Sequence, residues 1–440
     1  MKIAYTHLIK NIEGNPLIND LSDKLFQLGH EHEVEDEIFN FEFTPNRGDC
    51  LSLRGLLRDL NIFYNVRIDN DIFVSELNDL SIEFKNNVQD FCTKISFLKV
   101  EIDKVPQDYN SELRDYFSDL ENKKNNFFTD ISNYLSYELG QPTHCFDANS
   151  IDGTLYFEEK IVHEKLQTLL GTEIMLEGKN CVFSDDTEII SLAGVMGGKK
   201  TACTKDTKKV LIECAFFEPE SIIGKSIKYN LQSEAAHKFE RFVDINIQEI
   251  VLRRFVRIVE RHTEIKSIKF YSYDHKKMSS KKIKFDVKEI NSILGTEISS
   301  DEYQIILKKL GFQIESEVII PSHRNDILSQ NDLAEEVARV IGYDNISTKN
   351  FEIPKLDNPK NVSLVKPIRS FLKNNGFNEV INFPFSSNEA ENAIFVDNPL
   401  DSNREYLRTN LKESLVENLL YNERRQKDSV KLFELSDIYY

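Results

Sequence analysis

Between Glu234 and His262 the apolar residues Phe239, Phe242, Val243, Ile247, Ile250, Val251, Phe255, Ile258 and Val259 keep a helical period for about eight turns. Ser233 stands where an N-cap belongs. The chain ahead of it, from about 82 to 215, behaves differently. It is built of short β-like runs at Ile95 to Val100, Thr154 to Phe157, Cys181 to Phe183, Glu188 to Leu192 and Val210 to Cys214, with one helix near Ser111 to Glu138. Strands gathered together and followed by a long amphipathic helix predict an α+β domain. No fixed-period repeat is present, which excludes a solenoid.

The flanks read as separate units. Leu17, Leu21, Leu25, Phe26 and Leu28 predict a helix over Pro16 to Gly29, and an acidic link follows from His30 to Glu37. A strand from Ile38 to Thr44, a turn at Pro45 to Asp49 and a helix from Leu51 to Phe63 come next. The basic stretch His275 to Lys284 is the best linker, a solvated one in preference to an RNA-binding patch. After it, strand, helix, helix and strand signals run to Ile346. A last segment, from about Pro354, carries helices at Ser363 to Asn374 and Leu411 to Arg425 and strands at Glu379 to Phe385 and Val430 to Tyr439. For 440 residues this makes a multidomain α+β chain of two to four domains.

A formal charge of -18 argues against a protein that coats nucleic acid through bulk charge, so any RNA contact has to be local. Six scattered cysteines without a C-x-x-C pair indicate neither a zinc ribbon nor a disulfide framework. The first residues lack the pattern of a secretory signal, and no run approaches the roughly 18 apolar residues of a membrane span. A cytoplasmic protein without membrane contact is expected.

Several motifs fail on inspection. Ala193 to Thr201 is glycine-rich, but Lys199 stands where a phosphate loop needs its second Gly. His163-Glu164 opens a zinc-protease pattern that Gln167 breaks. His30 and His32 have the types to bind a metal, but a short polar link of this kind is usually solvated. Arg47-Gly48-Asp49 is best read as structural, Gly48 allowing a tight turn.

Two constellations carry more. Asp332, Glu335 and Glu336 fall at i, i+3 and i+4, with Asp326 just ahead; three carboxylates on one helix face suit either Mg²⁺ or Ca²⁺, or a solvated face paired with Arg339. The second is dispersed: His144, Gly197 with Gly198, Glu213 and Ser233. Glu213 in VLIECAFF is the oddest, because a carboxylate in an apolar strand costs several kcal/mol unless it is paired or offered to a polar ligand. An outward-facing strand residue is the ordinary alternative.

The ordered motifs EFTPNRGDCLSLRGLLRDL, ELGQPTHCFD, AGVMGG, VLIECAFFEPESI, SEAAHKFERFVD, PSHRNDI and DLAEEVARVIGYDNI resemble the β subunit of bacterial phenylalanyl-tRNA synthetases along the whole chain. The resemblance implies an N-terminal domain at 1–79, an editing domain of B3/B4 type at 80–272, a small Mg²⁺-binding domain of B5 type with a DNA-binding-like fold at 273–348, and an incomplete class II catalytic-like domain at 349–440. It implies a partner α subunit in a two-plus-two assembly, where ATP and phenylalanine react and tRNA(Phe) is charged, with no DNA among the partners. On this chain it implies an editing site for Tyr-tRNA(Phe), with His144, Glu213 and Ser233 as catalytic residues and Gly197 and Ala235 leaving room for substrate. Glu213 would accept a hydrogen bond from the tyrosine phenol, which phenylalanine cannot offer. His144 and Ser233 would hold the attacking water or the ester carbonyl. Asp326, Asp332, Glu335 and Glu336 would bind Mg²⁺. The family's usual Thr is Ser233 here, its inserted oligonucleotide-fold domain has only 30–40 in its place, and its last domains are missing. A subunit without turnover of its own that only assembles or regulates, and a stand-alone editing factor, are the alternatives.

Overall fold

The computed structural model describes residues 1–275, 279–348, 363–387, 389–427 and 429–440. These divide into two units, Met1–Thr348 and Lys349–Tyr440. The expected start of the last segment near Pro354, and part of the linker expected over 275–284, lie outside the described residues.

The larger unit is organised by a five-stranded sheet in the order Asn78–Asp79, Ile265–Asp274, Lys94–Ile102, Lys209–Phe216, His144–Asp147. Its strands Lys94–Ile102 and Lys209–Phe216 are buried on both faces because both faces are covered, whereas Ile265–Asp274 stays half-exposed. Val210, Ile212 and Cys214 enter one core with the helices Phe127–Leu139 and Gln248–His262, while Leu211 and Ala215 enter a second core against another five-stranded sheet. That second sheet runs Met196–Gly197, Ile189–Leu192, Glu173–Ser184, Leu155–Gln167, Phe84–Asn86.

This two-sided core corrects the long helix read from the sequence. Glu234–Phe239 and Gln248–His262 are separate helices. Phe239, Val243 and Ile245 belong to the second core, whereas Val251, Leu252, Phe255, Val256, Ile258 and Val259 belong to the first. The chain has to change sides of the sheet between them, and it turns at Phe242, whose φ is +71°. The helix expected near Ser111 to Glu138 is likewise two, Ser111–Asp119 and Phe127–Leu139, the second capped by Asn126 accepting from the Thr129 amide.

The N-terminal segment forms a three-stranded sheet of Lys2–Ala4, Ile38–Glu42 and Glu31–Glu35 beside helices Ile18–Gln27 and Leu53–Leu60. The expected acidic link is therefore a strand, because its alternate residue His32 is buried while its glutamates face water. Residues Lys282 to Ile341 contribute helices Val287–Leu294, Ser300–Lys309 and Gln330–Ile341 around a small sheet, and Ile290, Tyr303, Leu307, Leu333 and Val337 join the first core.

The smaller unit holds helices Val365–Asn374 and Lys412–Glu423. The strands expected over 379–385 and 430–439 shrink to two-residue ladders, Asn378–Glu379 with Leu432–Phe433 and Phe385–Ser386 with Tyr406–Leu407. Among the described residues no helix is long and apolar enough to cross a membrane.

Candidate functional site

Strand Lys209–Phe216 places Glu213 directly opposite His144 on one side and Phe97 on the other. Residues paired across antiparallel strands share a face, and this face, with Leu211, Ala215, Phe97 and Phe146, belongs to the second core. The alternation that would have turned Glu213 to water turns it inward instead, to 5% exposure. Burial raises its carboxyl to about 8, and among the described residues no cation or hydrogen bond acts against it. At neutral pH Glu213 is therefore a carboxylic acid.

His144 stands edge-on to Phe146, its Nε2 buried and without a partner. Burial lowers its pKa to about 4, so the imidazole is neutral. Gly197 lies against it: a Cβ at position 197 would sit 2.3 Å from His144 Cε1 and 2.9 Å from Nε2. Here glycine is required by close approach, since its φ is not in the left-handed region.

Ser233 is joined to the same loop. It caps helix Glu234–Phe239 by accepting from the Ala236 amide at 3.1 Å and donates its hydroxyl to the Val195 carbonyl at 2.6 Å. Its proton is thus committed to the backbone two residues from Gly197. Ala235 follows in the first turn, half-buried against the second core. The structure brings His144, Gly197 and Glu213 to one place, with Ser233 and Ala235 tied to its wall.

The four acids are not gathered in this way. Glu336 faces inward and is bound by Arg324 at 2.7 Å through each oxygen and by Arg339 at 3.0 Å. Asp326 takes two further bonds from Arg324, at 2.9 and 2.8 Å. Asp332 turns back to the helix start, accepting from the Leu328 and Ser329 amides at 2.8 Å, and Glu335 faces water. Spacing alone put three carboxylates on one face, but helix capping and an arginine fork separate them. Burial would raise Glu336, yet Arg339 and Arg324 override it and hold the carboxyl down to about 2. As arranged, these residues do not fit Mg²⁺, because the charge a cation would supply is already supplied by guanidinium groups.

Arg339 continues to Asp59 at 2.7 Å, and Asp59 also accepts from Arg47 at 3.0 Å and pairs with His30 at 2.8 Å. Burial would raise Asp59, and Arg339 and Arg47 carry it well below the usual carboxylate range. His30, Cys50 and Asp59 have the spacing of a metal site, but Arg47 donates to Cys50 Sγ at 2.8 Å and two guanidinium groups oppose a cation there. His32 is also buried, bonded to Ser22 at 2.9 Å. The network joins the Pro45–Asp49 loop to the last helix of the unit. Gly48 permits it by close approach, since a Cβ there would lie 2.1 Å from the Arg241 carbonyl oxygen. No local sequence signal marks Arg324 for Glu336 or Arg47 for Asp59, partners that lie on other elements of the fold.

Comparison with known proteins gives this arrangement a family. Residues 96–264 match the B3/4 domain, residues 283–343 the tRNA synthetase B5 domain, and residues 350–440 the phenylalanyl tRNA synthetase beta chain CLM domain. Curated phenylalanine–tRNA ligase beta subunits are similar throughout. The one from Burkholderia lata is 30% identical over 100% of this chain and 56% of its own length; that from Acinetobacter baylyi is 29% identical over 92% and 53%, and that from Thermotoga maritima 28% over 93% and 54%. A solved N-terminal fragment of the phenylalanyl-tRNA synthetase beta subunit from Pyrococcus horikoshii aligns with a TM-score of 0.44 and 14% identity, over 77% of this chain and 99% of that one.

B3/4 and B5 domains in succession mark a multidomain chain of the tRNA synthetase class. With the CLM domain behind them, the chain belongs to the phenylalanine–tRNA ligase beta-subunit family. It spans about half the length of the curated relatives it matches.

Proposed function

We propose that this chain serves as the editing and assembly part of a phenylalanine–tRNA ligase, hydrolysing Tyr-tRNA(Phe) in the pocket of His144 and Glu213. The observation that carries the reading is Glu213: a buried carboxyl group that has no partner among the described residues, on the same face as an imidazole whose Nε2 also has none. The tyrosine phenol supplies the hydrogen bond that the pocket lacks, and phenylalanine leaves it unmade. An unpaired buried polar group costs about 1–3 kcal/mol, which is a discrimination of roughly 5- to 150-fold. An editing step answers a physical need, because a pocket shaped for phenylalanine rejects an added hydroxyl by only about 10² in comparable cases.

Water adds to the ester carbonyl, and the tetrahedral adduct expels the ribose oxygen, which takes up the proton that water gave. His144, neutral and with a free Nε2, is suited to hold that water and relay the proton. Ser233 acts as a positioning residue, its hydroxyl holding Val195 and thereby Gly197, and Gly197 and Ala235 provide room. Charging itself belongs to a partner α subunit, in a two-plus-two assembly, which takes phenylalanine, ATP with the Mg²⁺ that accompanies it, and tRNA(Phe). No step is routed through a metal on this chain.

The test is deacylation of Tyr-tRNA(Phe) and Phe-tRNA(Phe) by the chain with its α partner, wild type against Glu213→Ala. Loss of the preference for the tyrosyl ester supports the site, and unchanged discrimination overturns it. Deacylation without α would favour the stand-alone editing factor, and co-purification with α without any deacylation the assembly role.

A further inference from the structure

The strands Leu155–Gln167 and Glu173–Ser184 pair along their whole length, but neighbours flank them only at the base: Phe84–Asn86 beside Leu155 to Phe157, and Ile189–Leu192 beside Val182 to Ser184. Beyond the base they form a two-stranded ribbon. Its tip, Thr168 to Thr172, turns back onto the site. The Leu169 amide donates to the Gly197 carbonyl at 3.0 Å, the Lys199 amide to the Gln167 carbonyl at 2.8 Å, and Thr168 bridges Gly198. Leu169 and Leu170 are nonetheless 43% and 62% exposed. Thr168 is fully buried, but the turn beyond it buries little apolar surface and is tied to the wall through the Leu169 amide, which places residues 169–172 at the low-stability end of local opening.

Leu169 also reaches the chemistry. The point where a Cβ on Gly197 would lie is 2.8 Å from Leu169 Cδ1 and 2.3 Å from His144 Cε1, so the leucine methyl and the imidazole edge share one small space over Gly197. Nothing larger fits between them while the tip is down.

We propose that the ribbon tip gates this site, with Leu169 as its positioning residue: seated, the leucine covers the buried Nε2 edge of the half-buried His144, and lifted, it admits the aminoacyl end of an ester and walls its side chain. The identity of the ester rests on the editing reading, but the gate does not. The depressed pKa of His144 agrees with a covered Nε2.

The experiment treats the full chain with diethyl pyrocarbonate and follows His144 by peptide mass spectrometry, using exposed His163 as the internal reference, its side chain 73% accessible. Leu169→Ala is expected to speed modification of His144, relative to His163, by about tenfold or more, and Leu169→Met to leave it within about twofold. Equal rates in Leu169→Ala and wild type would overturn the gate. Deacylation by His144→Ala, with the α partner present, separates the two ideas. If that variant still hydrolyses Tyr-tRNA(Phe), the editing reading falls while the gate is judged on modification alone. If it is inactive and Leu169→Ala leaves modification unchanged, the gate falls and the editing reading stands.

Discussion

Replacing Glu213 by Gln removes a titration that works against the fold, and its size follows from the structure. The carboxyl rises from the ordinary 4.5 to about 8 because burial penalises its charge. A carboxyl whose pKa is higher in the folded state costs nothing below about pH 4.5, costs progressively more as pH climbs through this window, and levels off above about pH 8. At about 1.4 kcal/mol per unit, the cost is about 1 kcal/mol at pH 5, about 3 at pH 7 and nearly 5 at pH 9. The neighbours do not blur this. His144 is neutral above its pKa of about 4, and burial raises the thiols of Cys92, Cys145 and Cys214 well above their usual range. Glu213 is thus the group that titrates in this pocket between pH 5 and 8. For a unit of this size 1 kcal/mol moves the melting temperature by about 1.5 °C. Glu213→Gln should then exceed wild type by about 1.5 °C at pH 5, about 4.5 °C at pH 7 and about 7 °C at pH 9 in scanning calorimetry. A pH-independent difference, or a variant that loses stability as pH rises, would refute the claim that Glu213 is buried and unpaired.

Two other outcomes test the remaining geometry. Gly197→Ala puts a methyl 2.3 Å from His144 Cε1 and 2.8 Å from Leu169 Cδ1, so the ring must rotate away; deacylation of Tyr-tRNA(Phe) should fall by about tenfold or more at a stability cost of about 1–3 kcal/mol, and full activity would show that the site lies elsewhere. Arg324→Ala strips Asp326 of its guanidinium partner, leaves Glu336 with Arg339 alone and should cost about 3–5 kcal/mol, whereas millimolar MgCl₂ should leave the wild-type melting curve in place; a Mg²⁺-dependent rise of several degrees would reinstate the metal. Glu336, held down to about 2, stabilises the fold above its ordinary 4.5 and loses that contribution as pH falls through this range, so the difference between wild type and Arg324→Ala should shrink below about pH 4.

What sequence reading located, and what it missed, divides by range. Elements whose signal is local came through: Lys412–Glu423 falls within the helix expected over 411–425, and Ser233 caps a helix as its position implied. The helix expected over 234–262 failed because period 3.6 records that residues are apolar, not which core they enter, and Phe239 and Phe255 enter different ones. The link over 30–37 failed because its glutamates masked an alternation whose buried member is a histidine. At the site, Glu213 was legible as a polar residue in an apolar strand. Of the four acids' commitments the pairing with Arg339 was legible and the rest were not, since Arg324 and Asp59 are partners through Glu336 and Arg339 across more than two hundred residues of chain. Leu169 was the least visible, being one exposed leucine in a turn.

The register of one strand explains why the cost at Glu213 cannot be relieved by a small shift. Lys209–Phe216 is paired along its whole length with Lys94–Ile102 and over four residues with His144–Asp147. A slip of one position would carry Glu213 to the other face, but it would also take Val210, Ile212 and Cys214 out of the first core and exchange them with Leu211 and Ala215. Several fully buried side chains outweigh one unpaired carboxyl group, at about 1.5–3 kcal/mol for each large apolar residue. The strand is therefore held in place by its even neighbours while its odd member faces an unsatisfied pocket. Relief has to come from a ligand instead: a donor that reaches Glu213 lowers its pKa and recovers part of about 3 kcal/mol at pH 7. The free energy held at Glu213 is thereby available to favour a ligand that carries a hydrogen-bond donor over one of the same shape that lacks it.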